Sequence, residues 1–206
     1  MAVEMSDLGD QYRCPMGRRG RLVATLMNQN HEPLTLWGLT KIAIGSDNVI
    51  LDVGCGGGKT VGKLAALSPK GKVFGLDYSV DMVKFSKRIN KKLIAQNRVE
   101  IIEGSVEKMS FKDDFFDLVT AFETYYFWNN FPVALKEIKR VLKPGGKFLL
   151  VNELMYGVTS AKLIEETHVR LFPLKEIQNV LKSVGFTGIN VFTEVESLWN
   201  AIIAQK

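Results

Sequence analysis

Cysteine and histidine are scarce, with two of each in 206 residues. Cys14 and Cys55 are too few for a disulfide framework or for the three clustered thiolates of an iron–sulfur centre, which disfavours radical chemistry. His31 and His168 lie far apart and show no zinc-type spacing, so no metal is expected. No apolar run approaches the roughly 20 residues of a membrane helix. The opening MAVEMSDLGDQYRC lacks the charged-then-apolar order of a signal peptide, so a cytoplasmic location without a membrane partner is the expectation.

Hydrophobic residues at 46% and charged residues at 24% exclude a disordered or collagen-like chain. The length suits one domain with a real core. A net charge of +5 invites a nucleic-acid partner, but the lysines are dispersed. The densest cluster, Lys84, Lys87, Arg88, Lys91 and Lys92, reads as the wet face of one helix, and Arg18, Arg19 and Arg21 form a smaller one. Nucleic acid is therefore possible but not favoured, and oligomeric state is not legible.

The segments Arg19–Met27 and Leu34–Ile44 precede a regular alternation of strands and helices. Short apolar runs bounded by turn residues predict strands over Asn48–Val53, Lys72–Asp77, Val99–Glu103, Phe116–Ala121 and Lys147–Asn152. Helical spacing covers Gly58–Leu67, Ser79–Ala95 with Ser79 as N-cap, Phe131–Leu142, Ser160–Arg170 and Leu174–Val184. Lys143-Pro144-Gly145-Gly146 closes one helix, and Gly185 ends another. Gly188–Phe192 and Ser197–Ala204 alternate as two final strands, too close together for a helical crossover and hence antiparallel. The sum is a single α/β domain: a mostly parallel sheet with helices on both faces and a C-terminal antiparallel pair.

In such a sheet, ligands bind at the carboxyl ends of the strands near the switch point. There the sequence places Leu51-Asp52-Val53-Gly54-Cys55-Gly56-Gly57-Gly58-Lys59-Thr60. Its GGGKT end is similar to a phosphate-cradling P-loop, but the glycine required five residues before Gly58 is Val53. Gly54 and Gly56 match the first two positions of the dinucleotide fingerprint G-x-G-x-x-G, but Lys59 holds the third. An NAD-binding oxidoreductase stays open as the lesser alternative, since Asp77 at the second strand's end suits a ribose in either case.

D-V-G-C-G-G-G resembles the first motif of the class I S-adenosylmethionine-dependent methyltransferases (the type 11, UbiE-like group), and four further stretches resemble that family in order. These are Gly75-Leu76-Asp77-Tyr78-Ser79-Val80-Asp81-Met82, Gly104-Ser105-Val106-Glu107 with the segment to Asp117, Arg140–Gly146, and Leu181–Phe186 onward. The resemblance covers residues 48 to 206 and implies a Rossmann-like seven-stranded sheet, with residues 1–45 as a helical lid over a 46–206 core. It implies S-adenosylmethionine as cofactor, with S-adenosylhomocysteine as product. Asp52, Gly54, Cys55 and Gly56 would form its loop, Asp77 would grip the ribose, and Tyr78 and Met82 would pack near the adenine. Ser105 and Val106, where the family often has Asp-Ala, would meet the adenine edge, with Phe122 also in the binding set. An acid before the loop fits a cofactor that carries sulfonium and ammonium charges and no phosphate.

Phe122-Glu123-Thr124-Tyr125-Tyr126-Phe127-Trp128 follows the fourth strand, where family members face the transferred methyl. So aromatic a loop either lines a pocket or covers the sheet. Tyr125, Tyr126 and Trp128 are expected at the pocket, and Glu123, Tyr125 and His31 are candidate bases. His31 either acts there or caps the following helix. His168, among acids in a predicted helix, reads as surface. Cys55 reads as a small loop residue, Asp117 as an anchor for its strand, and Gly145-Gly146 as a turn. The expected activity is direct in-line methyl transfer to a small-molecule acceptor. The alternatives are RNA or protein methylation, or a non-catalytic cofactor-binding subunit.

Overall fold

Both faces of the first strand are apolar: Leu51 and Val53 pack into one buried cluster, and Ile50 packs into another. That double burial is the signature of a sheet covered on both sides. A computed structural model describes residues 30–153 and 170–206, together with 17, 20 and 22. Cys14, Arg18, Arg19, Arg21 and His168 lie outside the described residues, as does nearly all of the helix expected over 160–170.

Helix α1 (Glu32–Leu39) precedes β1 (Val49–Val53), α2 (Lys59–Leu67), β2 (Lys72–Asp77), α3 (Val80–Ile89), α4 (Lys91–Ala95) and β3 (Val99–Glu103). Then follow β4 (Phe116–Phe122), a 3-10 turn (Tyr125–Phe127), α5 (Phe131–Val141), β5 (Leu142–Glu153), α6 (Leu174–Ser183), β6 (Thr187–Glu194) and β7 (Trp199–Gln205). The seven strands order as β3-β2-β1-β4-β5-β7-β6, parallel from β3 to β5, with β7 antiparallel to both β5 and β6. The chain runs outward from β1 to β3 and returns to β4, so the switch point lies between β1 and β4. Among the described residues, no helix is long and apolar enough to cross a membrane.

The helices against the sheet bury apolar stripes, whereas no residue of the short α4 is fully buried. In α2, Val61, Leu64 and Ala65 recur at helical spacing and face the sheet. In α5, Ala134, Leu135, Ile138 and Val141 do the same on the opposite face, joined by Ile177 and Leu181 of α6. The Asn130 side chain caps α5 by accepting the Val133 amide at 3.2 Å, and Ser79 caps α3 by accepting that of Met82. Helix α1 approaches closely because residue 38 is glycine: a Cβ there would lie 2.6 Å from a methyl of Val151.

Two expectations need correction. The helix read over Ser79–Ala95 breaks into α3 and α4 at Asn90, whose buried amide donates to the Gly58 carbonyl at 2.9 Å and the Ser86 carbonyl at 3.0 Å. The Lys143–Gly146 turn is part of β5, which starts at Leu142 and pairs with Phe116 across an irregularity in register. Gly145, at φ +77°, supplies the bend.

Candidate active site

The glycine loop folds back on its own sheet. The amides of Gly54 and Cys55 both donate to the Leu76 carbonyl, at 2.7 and 3.0 Å, and Gly58 donates to the Cys55 carbonyl at 2.9 Å. Gly56 donates to the Asp77 carboxylate at 2.8 Å. Four loop amides are therefore spent inside the protein, where a phosphate cradle would aim them outward. Gly54, at φ +67°, is also sterically fixed, because a Cβ would fall 2.1 Å from the Thr124 hydroxyl oxygen.

Two buried carboxyls flank the loop. Asp77 accepts the Gly56 amide on one oxygen and the Ser79 amide on the other, and burial nevertheless raises its pKa above the ordinary value. Asp52, 2% exposed, accepts the Thr120 hydroxyl at 2.7 Å. Burial, with the nearby Asp77 charge, pushes Asp52 up to about 7 against the pull of that hydrogen bond. Among the described residues, no cationic side chain figures in the groups that set either acid's pKa. Cys55 sits beneath the loop, and burial drives its thiol pKa well up, which excludes a reactive thiolate.

The opposite wall is built by the end of β4. Glu123 has φ +53°, a backbone conformation that side chains other than glycine rarely adopt. The residue is 8% exposed, and its carboxyl is held on both oxygens: Glu153 N–H donates to one at 2.6 Å, and the Tyr126 hydroxyl donates to the other at 2.6 Å. His31 Nε2 stands 4.0 Å from that second oxygen. Burial raises Glu123 to about 7 and lowers His31. His31 occupies the N-cap position of α1, but its side chain makes no capping hydrogen bond. Beside it, Glu32 ties α1 to α2 through ion pairs with Lys59 and Lys63.

Between these walls lies a cavity of about 280 Å³ at the carboxyl ends of β1, β2, β3 and β4. It brings together all ten positions of the expected cofactor set: Asp52, Gly54, Cys55, Gly56, Asp77, Tyr78, Met82, Ser105, Val106 and Phe122. His31, Glu123 and Trp128 also line it. Tyr125 and Tyr126 do not. The 3-10 turn carries them beneath the wall into the core, where Tyr125 packs on Phe131 and Phe172, so the expectation that they face the pocket is corrected. Sequence reading missed Thr120 and Thr124, which fix the Asp52 carboxyl and the Gly54 turn, and the cavity-lining Lys63. Neither threonine has a local signal, because each acts across the sheet.

Comparison with known proteins agrees with this geometry. A family profile described as a methyltransferase domain matches residues 51–150. The uncharacterized methyltransferase YdaC of Bacillus subtilis is 30% identical over 122 residues, covering 59% of this chain and 65% of that protein. A demethylmenaquinone methyltransferase of Staphylococcus aureus is 38% identical over 97 residues, covering 47% of this chain and 39% of that protein. The chain thus matches less than two thirds of the length of either relative. In fold, it superimposes over its whole length on 60% of Haemonchus contortus phosphoethanolamine N-methyltransferase 2, solved in complex with S-adenosyl-L-methionine, with a TM-score of 0.81 at 19% identity. The profile match to a methyltransferase domain, the strand order and the loop with its two acids make this chain similar, over residues 51–150, to the class I S-adenosylmethionine-dependent methyltransferases.

Proposed function

We propose that the chain binds S-adenosylmethionine and transfers its methyl group directly, in line, to a small-molecule acceptor. The carrying observation is the loop whose amides are satisfied internally, flanked by two buried carboxyls. That chemistry suits a cationic nucleoside without phosphates and disfavours a dinucleotide or nucleoside triphosphate. When bound, the cofactor supplies a methyl on positively charged sulfur, whose bond to carbon breaks with its electron pair left on sulfur.

In this reading, Asp77 accepts the ribose hydroxyls with the lone pairs that its two backbone donors leave free. Tyr78 and Met82 pack against the base, and Ser105 and Val106 meet its edge. Asp52 faces the cationic end, whose charge draws its carboxyl back to the ionised form. Of the segment 1–45 expected as a lid, the described His31 and helix α1 stand at the cavity. His31, Glu32 and Thr35 contribute to the cavity lining, and the Glu32 ion pairs hold that side closed. The protein thereby supplies orientation and a dry site, a source that can provide roughly 7–11 kcal/mol in well-aligned reactions.

Calorimetric titration with S-adenosylmethionine, S-adenosylhomocysteine and NADH side by side tests the reading. Binding of both sulfur nucleosides without NADH is expected. NADH binding alone, or silence with all three, overturns it.

A further inference from the structure

Glu123 holds a left-handed backbone conformation, φ +53°, just past the end of β4. A non-glycine residue at φ +53° costs on the order of 1–2 kcal/mol, and it is spent here to bury a carboxyl rather than to relieve one. The carboxyl is fixed on both oxygens, by the Glu153 amide and the Tyr126 hydroxyl, and still lines the cavity, beside His31 and the rings of Phe122, Phe127 and Trp128. A fixed acid on a cavity wall, with a partly exposed imidazole 4.0 Å behind it, is an arrangement for moving one proton.

We infer, on the methyltransferase reading above, that Glu123 takes the proton released by the acceptor, and that the acceptor is a neutral hydroxyl group carried on a flat apolar ring. The rings on the cavity wall fit the apolar part. The base selects the hydroxyl. An amine that gains a methyl becomes an ammonium, which sheds its proton to water afterwards without help. A hydroxyl oxygen would become an oxonium unless its proton leaves as the new bond forms. In the step, the oxygen lone pair makes the carbon–oxygen bond, and the carbon–sulfur pair returns to sulfur, now an uncharged thioether. The hydroxyl proton passes to the Glu123 carboxylate and then through His31 to solvent.

Among the described residues, the titratable groups that face Glu123 are His31 at the N-cap of α1, Tyr125 and Tyr126 from the 3-10 turn, and Glu153 from β5. Its pKa of about 7, set chiefly by burial, lets it exist as carboxylate at neutral pH and hold a proton briefly. Tyr126 is a positioning residue, because its hydrogen bond favours the ionised form.

The test uses S-adenosylmethionine with a radiolabelled methyl against phenol, catechol and 1-naphthol, with aniline, 2-phenylethylamine and 1-naphthylamine in parallel. Label is expected in the hydroxyl set only, with kcat rising as pH increases through about 7. Glu123→Gln keeps the shape and one acceptor; it should bind S-adenosylmethionine as wild type does, lose about 100-fold or more in kcat, and lose that pH limb. Tyr126→Phe should move the limb to higher pH. Label in the amines alone, label in neither set while the cofactor binds, or a Glu123→Gln variant within about fivefold of wild type overturns the inference. Failure of wild type to bind S-adenosylmethionine instead overturns the methyltransferase reading on which it rests.

Discussion

The Asp77 carboxylate accepts the amide of Gly56 at 2.8 Å, so the residue that would hold the cofactor ribose also holds the turn of the glycine loop. One side chain thus couples the shape of the loop to the end of β2. Asp77→Ala should raise the Kd for S-adenosylmethionine about 100-fold or more while circular dichroism still reports a folded protein. It should also lower the melting temperature, since the Gly56 and Ser79 amides lose their partner at about 1–3 kcal/mol each. Asp77→Asn, which keeps an acceptor, should recover much of the melting temperature but not the affinity. Wild-type affinity in the alanine variant would sink the ribose assignment.

Gly54 and Gly56 both have positive φ, but only Gly54 is crowded: its Cβ would meet the Thr124 side chain, whereas at Gly56 the nearest atom lies 4.0 Å away. Gly56→Ala should therefore cost about 1–2 kcal/mol, the ordinary penalty of the left-handed region. Gly54→Ala adds a clash with a stiff β-branched residue and should cost clearly more. Urea unfolding of the two variants compares them directly, and equal losses would refute the wedge between Gly54 and Thr124.

The folded-state pKa of Asp52 is raised to about 7. A carboxyl raised on folding contributes stability that is complete below its unfolded value, near 4, and is lost as pH rises through about 7. The full span corresponds to an order of 3–4 kcal/mol. The ligand-free protein should melt several degrees lower at pH 8 than Asp52→Asn, with the difference shrinking toward pH 5. A gap that is independent of pH would show that Asp52 is not the titrating group.

Cys55 is buried, with its thiol pKa pushed well up. In a Cys14→Ser background, Ellman's reagent should leave Cys55 unmodified in the folded protein at pH 8 and titrate one thiol in denaturant. Rapid modification of the native protein would show that the loop opens.

Much of this architecture was legible because its signals are local. The strands over Lys72–Asp77 and Val99–Glu103 fall where the short apolar runs predict them, since each is bounded by turn residues. The glycine loop was legible too, because glycines forced into positive φ cannot hide in a sequence. What escaped depends on distant partners. Asn90 interrupts a helical pattern because its amide reaches back to Gly58, 32 residues earlier. Tyr125 and Tyr126 look like pocket residues until a 3-10 turn buries both, Tyr125 against Phe131 and Phe172, whose nearness periodicity cannot reveal. The backbone strain at Glu123 has no signature in composition at all.

The contact of Gly54 with Thr124 ties together two stretches that would otherwise serve separate molecules. The glycine loop and the segment beside Glu123 meet at this point, only one residue from the acid. Should occupancy of one half bias the other, linkage requires the influence to run equally in both directions.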